Sequence, residues 1–238
     1  MKVSEDFKRT WQQQALEMDP NINFQDPCYA WGTPEKNEAC VRRIEEKYQG
    51  RTGEIVFYGP SNITFWYSLE KDMLPYCAQN HGMGGCTDED LIAYAPRLLY
   101  PFKPQVVFFQ TGSNDLAHGL TLPQIMENKK RMYGEFLENM PETKLVVMSG
   151  LPLPGRQQFW EATKETNAFL QAFCQEHDRM YFMDSMDTML SDTGDEENRT
   201  ADGRYFRPEY FMIDRVHLNA KGHAAWMALM KKQLEAIL

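Results

Sequence analysis

The chain has 238 residues, of which 42% are hydrophobic and 13% aromatic, and its formal net charge is −9. This length and composition are typical of one globular domain with a sizeable core, and they exclude an intrinsically disordered chain. The excess of acidic residues argues against nucleic acid or an anionic membrane as the partner, because both bind clustered Lys and Arg.

No apolar run approaches the roughly 20 residues that a membrane-spanning helix needs, and the N-terminal residues contain no apolar signal core. We therefore expect a cytoplasmic protein with no membrane partner. The cysteines are odd in number, widely spaced and without a CxxC pair: Cys28, Cys40, Cys77, Cys86 and Cys174. This pattern indicates reduced thiols, not a disulfide framework or a zinc site.

Residues 1–50 form a predicted N-terminal extension that packs on the domain or acts as a lid, with an oligomer contact as the alternative. Its hydrophobic pattern predicts two helices, from Asp6 to Met18 and from Glu35 to Tyr48. Pro, Asn and Gly residues predict a loop from Asp19 to Pro34 between them.

Strands and helices alternate in the predicted domain of residues 51–238. The predicted strands are Ile55 to Tyr58, Tyr76 to Gln79, Gln105 to Gln110, Lys144 to Ser149 and Met180 to Met183. The predicted helices are Thr64 to Leu74, Thr87 to Leu99, Leu122 to Asn139, Gln157 to His177 and Ala220 to Leu238. This alternation indicates a mostly parallel sheet covered on both faces, in which ligands bind at the carboxyl ends of strands.

Ser61 follows the first predicted strand, at a turn formed by Gly59 and Pro60, and precedes a predicted helix. One interpretation is a helix-capping serine. The other is a nucleophile, which needs a base to accept its proton. His217 is suited to that role near neutral pH, and Asp214, three residues earlier, is placed to orient its imidazole.

Two other strand ends carry candidate donors for an oxyanion. Gly85 lies in a Gly-rich loop after the second strand, and Asn114 offers a side-chain amide after the third. The backbone N–H of Ser61 is a third donor, and each such donor is worth roughly 3 kcal/mol in a transition state. The alternatives are that Gly85 only permits a tight loop and that Asn114 only stabilises a turn.

Several residues compete for these roles. His81, His118, His177 and His223 are alternative bases, and Asp184 is an alternative acid. Cys86 is an alternative reactive group beside Gly85, or a small loop residue. His217 and His223 have no third ligand nearby in the sequence, so no metal site is expected.

The candidate residues fall into four blocks, which occur in order: Gly59-Pro60-Ser61, Asn80 to Gly85, Gly112 to Asp115, and Asp214 to His217. In this combination the chain resembles the SGNH hydrolase superfamily, also called GDSL esterases/lipases, over roughly residues 54 to 238. The resemblance implies a three-layer α/β/α sandwich of flavodoxin-like type with a mostly parallel, five-stranded sheet. It implies Ser61 as nucleophile, His217 as base and Asp214 as orienting acid. It also implies an oxyanion hole made of the Ser61 and Gly85 N–H groups and the Asn114 amide.

Pro60 departs from the family pattern, which usually carries Asp before the serine, and proline has no N–H. The first block is similar to a bacterial branch that includes carbohydrate acetylesterases. The resemblance therefore implies a cofactor-free esterase acting on short-chain, in particular acetyl, esters of a small molecule or oligosaccharide. A longer-chain lipase, phospholipase or thioesterase, and a non-catalytic binding protein, are the alternatives.

Three residues near the blocks are candidates for substrate binding, namely Asn62, Asn80 and Trp66. Asn80 has loop bracing as its alternative role. Trp66 has core packing as its alternative, as do the other aromatic side chains near the blocks that would stack on a sugar: Phe65, Trp160, Phe206 and Tyr210.

Overall fold

The computed structural model describes residues 4–29 and 35–238. Its main feature is a parallel sheet of five strands in the order β2-β1-β3-β4-β5. The strands are β1 (Ile55–Gly59), β2 (Ala78–Gly82), β3 (Val106–Phe109), β4 (Lys144–Met148) and β5 (Met180–Met183). This is the flavodoxin-like order, in which the chain changes winding direction beside β1. The predicted α/β class and five-stranded sheet are confirmed.

Helices cover both faces of the sheet. They are α1 (Glu5–Met18), α2 (Glu35–Lys47), α3 (Ser61–Thr64), α4 (Leu69–Asp72), α5 (Asp88–Leu98), α6 (Ser113–Ala117), α7 (Leu122–Asn139), α8 (Trp160–Gln175) and α9 (Ala220–Ile237). Side chains alternate between the faces along each strand. Val56 and Tyr58 accordingly pack in one hydrophobic cluster, and Ile55 and Phe57 pack in the other.

Most predicted elements agree with the structure to within one residue at each end. The second strand was predicted too early, because its residues Gln79, Asn80 and His81 are polar. The predicted helix from Thr64 to Leu74 is interrupted between α3 and α4. The helix predicted from Gln157 begins only at Trp160, after a 3-10 segment over Pro154–Phe159.

The N-terminal helices pack on the domain through two different hydrophobic clusters. Trp11 and Met18 of α1 pack with Phe65 and Met212, whereas α2 packs into the same cluster as Val56 of β1. The predicted loop between the two helices is described only to Tyr29, and its last residues lie outside the described part of the chain.

Cys28 and Cys40 form a disulfide across this connection, with Cα atoms 4.6 Å apart. The prediction of reduced thiols is therefore wrong for this pair, and Cys77, Cys86 and Cys174 form no disulfide within the described residues. The spacing of the pair carries no recognisable motif, since the packing of α2 brings the two residues together. No helix within residues 4–29 and 35–238 is long and apolar enough to cross a membrane.

The carboxyl ends of β1, β2 and β3 lie side by side. Gly59 pairs with Gly82, and Tyr58 pairs with Phe109. The chain approaches itself closely at this edge: a Cβ atom on Gly59 would lie 2.4 Å from the backbone oxygen of Gln110. The loops that follow these three strands therefore meet at one edge of the sheet, where the site residues were predicted.

Candidate active site

Ser61 is the first residue of α3, directly after the turn that ends β1. Pro60 is the extended N-cap residue, and its carbonyl accepts hydrogen bonds from the N–H groups of Ile63 at 3.0 Å and Thr64 at 3.1 Å. A proline fits here because this position needs a carbonyl and no N–H. Pro60, not Ser61, therefore caps the helix, and the Ser61 N–H is one that a helix start leaves without an intrahelical acceptor.

The Ser61 hydroxyl lies against His217, whose Nε2 is 2.6 Å from Ser61 Oγ. The other ring nitrogen, Nδ1, is 2.5 Å from Oδ2 of Asp214. Because a carboxylate only accepts, Nδ1 carries the proton, and Nε2 is left to accept from the serine hydroxyl. The structure thus brings the three predicted residues into one hydrogen-bonded chain.

Asp214 is fixed by its own backbone turn. Its Oδ1 accepts the N–H groups of Val216 at 2.9 Å and His217 at 3.0 Å. Burial raises the pKa of Asp214, but the hydrogen bond and the charge of His217 outweigh it, so the net pKa lies below its ordinary value. The carboxylate stays ionised beside the imidazole, as required to stabilise an imidazolium.

Two aromatic side chains flank the imidazole edge-on. The ring centroid of Trp11 lies 5.1 Å from that of His217, and the centroid of Phe65 lies 4.9 Å from it. Gln14 of the same helix accepts a hydrogen bond from the Ile213 N–H at 2.9 Å. Helix α1 therefore forms one wall of the site, a role for the N-terminal extension that no sequence motif indicated.

The candidate oxyanion donors follow the neighbouring strands. Gly85 is exposed and has φ +86°, a backbone conformation that favours glycine. Asn114 lies in the first turn of α6 and is 8% exposed. Its Nδ2 donates to the carbonyl oxygen of Cys86 at 2.9 Å, which uses one of the two amide hydrogens and leaves the other for a ligand.

Asn62 and Asn80 hold loops in place. Asn62 accepts the Leu218 N–H at 2.9 Å and is only 5% exposed, which braces the segment that carries His217. Asn80 donates to the Ile63 carbonyl at 2.8 Å and accepts the Gly82 N–H at 2.9 Å. Both amides bond to the protein itself, which favours loop bracing over substrate binding for Asn62 and Asn80.

The prediction that Trp66 binds substrate is corrected by its burial. It is 0% exposed and packs in the core against Phe57 and His223, with its indole N–H donated to Asp72. A side chain without exposed surface has no face to offer a sugar. The sequence indicated its proximity to Ser61 but not that α3 turns it inward.

The alternative bases have other environments. Burial lowers the pKa of His81 to about 4 and that of His223 to about 3, and both rings lie in the core. His118 bonds a backbone carbonyl in its own turn, and His177 packs on an aromatic ring of α8. Asp184, the alternative acid, is exposed and accepts a backbone N–H two residues further on.

A buried ionic network lies behind the oxyanion residues. Lys129 of α7 and Asp88 of α5 are both fully buried, with Nζ 3.1 Å from Oδ2, and Lys129 also donates to Thr111 at 2.5 Å. Asp115 accepts the backbone N–H of Asp88 at 3.2 Å through Oδ1, whereas its Oδ2 has no partner in the described part of the chain. Burial, together with the nearby Asp88 charge, raises the pKa of Asp115 to about 6.

This raised pKa leads to a prediction on stability. Between about pH 4 and pH 6 the folded protein holds a proton on Asp115 that the unfolded chain releases. The contribution of Asp115 to the free energy of unfolding therefore falls as pH rises through this window. The variant Asp115→Asn lacks the titration and still presents a side-chain oxygen to Asp88. Its unfolding free energy relative to wild type is expected to increase by about 2 kcal/mol from pH 4 to pH 7.

Urea denaturation of both proteins at several pH values measures this difference, and the titration of all other carboxylates largely cancels in it. A difference that stays constant between pH 4 and pH 7 would show that Asp115 does not titrate in this range.

No cluster of three or more metal-ligating side chains occurs within residues 4–29 and 35–238.

Residues 60–225 match the model of the GDSL-like Lipase/Acylhydrolase family. A search of curated proteins found no match.

Solved structures share the fold at low sequence identity. A Streptococcus pneumonia protein named for platelet activating factor superposes with a TM-score of 0.71 at 18% identity, covering 84% of this chain and 93% of its own. A GDSL-like lipase from Bacteroides thetaiotaomicron gives 0.65 at 18% identity, covering 83% and 98%. A family 3 carbohydrate esterase from Clostridium thermocellum gives 0.54 at 19% identity, covering 76% and 94%.

These structures support the fold, and the family model supports the family. The matched segment is most of the chain, and it contains Ser61, Gly85, Asn114, Asp214 and His217. On this basis the chain belongs to the GDSL-like Lipase/Acylhydrolase family, whose members are hydrolases that act on esters.

Proposed function

We propose that this protein is a serine esterase that hydrolyses short-chain carboxylic esters, with acetyl esters of carbohydrates as the preferred substrates. The hydrogen-bonded chain from Ser61 through His217 to Asp214 is the observation that carries the proposal. A serine hydroxyl is a weak nucleophile until a base accepts its proton, and here the base is already in contact and oriented.

The reaction follows from this geometry. Ser61 Oγ attacks the acyl carbon while His217 Nε2 takes the hydroxyl proton, and Asp214 stabilises the imidazolium that forms. The tetrahedral intermediate collapses to an acyl-enzyme as His217 gives the proton to the leaving alcohol. Water then attacks the acyl-enzyme with His217 again as base, which releases the acid and restores the serine.

The negative charge on the intermediate needs donors that are already in place. The Ser61 N–H at the start of α3, the Gly85 N–H and the second hydrogen of the Asn114 amide are the proposed donors. They come from the loops after three adjacent strands, so the sheet itself holds them relative to one another.

Two observations favour small acyl groups. Among the described residues, four large hydrophobic side chains are exposed, namely Leu16, Leu74, Ile213 and Leu238. This small number argues against a large apolar surface for a long chain. Trp11 and Phe65 are buried against His217, and their rings occupy the apolar space beside the base.

Two of the structures with this fold are named as a carbohydrate esterase and an acetyl-xylooligosaccharide esterase, which favours sugar esters.

An acyl-chain series tests the acyl group. The kcat/KM for p-nitrophenyl esters from acetate to palmitate is expected to be highest for acetate and to fall as the chain lengthens. A maximum beyond about eight carbons would instead indicate a longer-chain lipase or thioesterase.

The alcohol part is tested separately. Acetate release from acetylated xylo-oligosaccharides is compared with release from triacetin at equal ester concentration. Faster release from the oligosaccharides supports a carbohydrate substrate, and a preference for triacetin would contradict it.

A further inference from the structure

Arg156 reaches the oxyanion residues from the loop after β4. Its Nη1 donates to the Asn114 side-chain oxygen Oδ1 at 3.2 Å, to the Ser113 backbone oxygen at 2.9 Å and to the Ser113 hydroxyl at 2.5 Å. Burial lowers the pKa of the guanidinium, and the Asp214 charge opposes this effect. The positive charge is therefore partly removed from water and lies close to the reacting groups, where its electrostatic effect is larger.

The backbone around Arg156 is locked onto the segment that carries the acid. The Gly155 N–H donates to the carbonyl oxygen of Arg215 at 2.8 Å, and a Cβ atom on Gly155 would lie 2.8 Å from the backbone carbonyl oxygen of Asp214. Arg156 itself has φ −136° and ψ 37°, which interrupts the 3-10 segment. One short loop thus touches both the oxyanion residue and the acid's backbone.

The contacts of Asn114 determine which way its amide faces. Oδ1 meets the cation of Arg156, and Nδ2 meets the Cys86 carbonyl. The reversed amide would place its NH₂ against the guanidinium and its oxygen against a carbonyl oxygen, so both contacts would be repulsive. Only the observed orientation leaves a hydrogen of Nδ2 free for an oxyanion.

We propose that Arg156 is a positioning residue that holds and polarises the Asn114 amide as an oxyanion donor. This inference rests on the proposed esterase function. A charge-assisted hydrogen bond to Oδ1 withdraws electron density from the amide and makes its N–H a stronger donor. The benefit is greatest in the transition state, when the carbonyl oxygen becomes an anion, so kcat is the parameter that responds.

The test combines Arg156 and Asn114 in a double-mutant cycle with p-nitrophenyl acetate. Arg156→Met removes the charge and is expected to lower kcat about 10- to 100-fold with little change in KM, since loss of a whole oxyanion donor costs about 100- to 1000-fold. In the Asn114→Ala background the same change is expected to cost less than about 3-fold, because two residues that act through one contact are not additive. Arg156→Lys keeps the charge and is expected to recover part of the loss, as is guanidinium added to Arg156→Met.

Arg131→Met is the matched control, because it removes an exposed arginine that pairs with Glu89 on the surface of the same domain. Wild-type kcat in Arg156→Met, full additivity in the double variant, or a change confined to KM would each overturn the inference. If Arg156→Met does not fold, the same comparisons are made with Arg156→Lys, which must then lower kcat, and lower it less in the Asn114→Ala background.

The outcome is separable from a failure of the proposed function. If wild type hydrolyses the ester and Ser61→Ala does not, the esterase proposal stands and the cycle reports on Arg156 alone. If no ester is hydrolysed, the rate of Ser61 labelling by a fluorophosphonate gives the readout. In that reaction Ser61 Oγ bonds to phosphorus and fluoride leaves, and the phosphonyl oxygen needs the same donors. Unchanged labelling in Arg156→Met would then overturn the inference, and slowed labelling, with no further slowing by Asn114→Ala, would support it.

Discussion

Replacing Ser61 by alanine is expected to lower kcat for p-nitrophenyl acetate by about 10,000-fold or more. The hydroxyl is the only atom group removed, and its loss deletes the nucleophile while the oxyanion donors and the base remain. The measurement is the steady-state rate, corrected for uncatalysed hydrolysis.

The stability of this variant is expected to change little, because Pro60 and not Ser61 caps α3. Ser191, whose hydroxyl bonds to the backbone of Thr193, provides the matched control as Ser191→Ala and should retain the wild-type rate. If Ser61→Ala hydrolyses the ester as fast as wild type, Ser61 is not the nucleophile. If wild type is inactive on every ester tested and a fluorophosphonate does not label Ser61, the result favours the non-catalytic alternative.

The largest expected effect on stability comes from Lys129→Met. The ammonium group is fully buried against the Asp88 carboxylate, and methionine would leave that carboxylate in the core without a countercharge. Removing one partner of a buried ion pair costs about 3–5 kcal/mol. Urea denaturation with the midpoint and slope both fitted measures the loss.

Lys130→Met is the matched control, since Lys130 lies next along the same helix with its side chain exposed, and its loss should cost less than about 1 kcal/mol. The double variant Lys129→Met/Asp88→Asn removes both charges and is expected to recover part of the stability. If the single and the double variants are equally destabilised, the loss is due to packing and not to the unpaired charge.

Much of the sheet could be predicted because its strands are short apolar runs bounded by Gly and Pro. The edge strand β2 was less predictable, because its side chains are polar and their partners are distant in the sequence. Gln79 donates to Glu54, and the buried His81 ring contacts a backbone carbonyl of α5. A strand whose polar groups are satisfied by tertiary contacts carries no hydrophobic pattern to read.

Some residues of the site could likewise be predicted from the sequence, and others could not. Ser61, Asp214 and His217 were found because catalysis by a serine needs these residue types and because two of them share one turn. Arg156 also follows the carboxyl end of a strand, so the rule that directed attention to Asn114 would have included it. Trp11 could not have been found in this way, since nothing in an amphipathic helix says which ring its tryptophan will contact.

The family match begins at residue 60, immediately after β1. Yet β1 pairs with both β2 and β3, and Trp11 of α1 covers the imidazole of His217. A fragment cut at the limits of the recognisable family would keep the serine, the acid and the base. It would lack β1, the strand that lies between β2 and β3 in the sheet. The segment that identifies the ancestry of this chain is therefore smaller than the segment that folds, and engineering of the enzyme by truncation or domain exchange has to retain the residues from α1 onward.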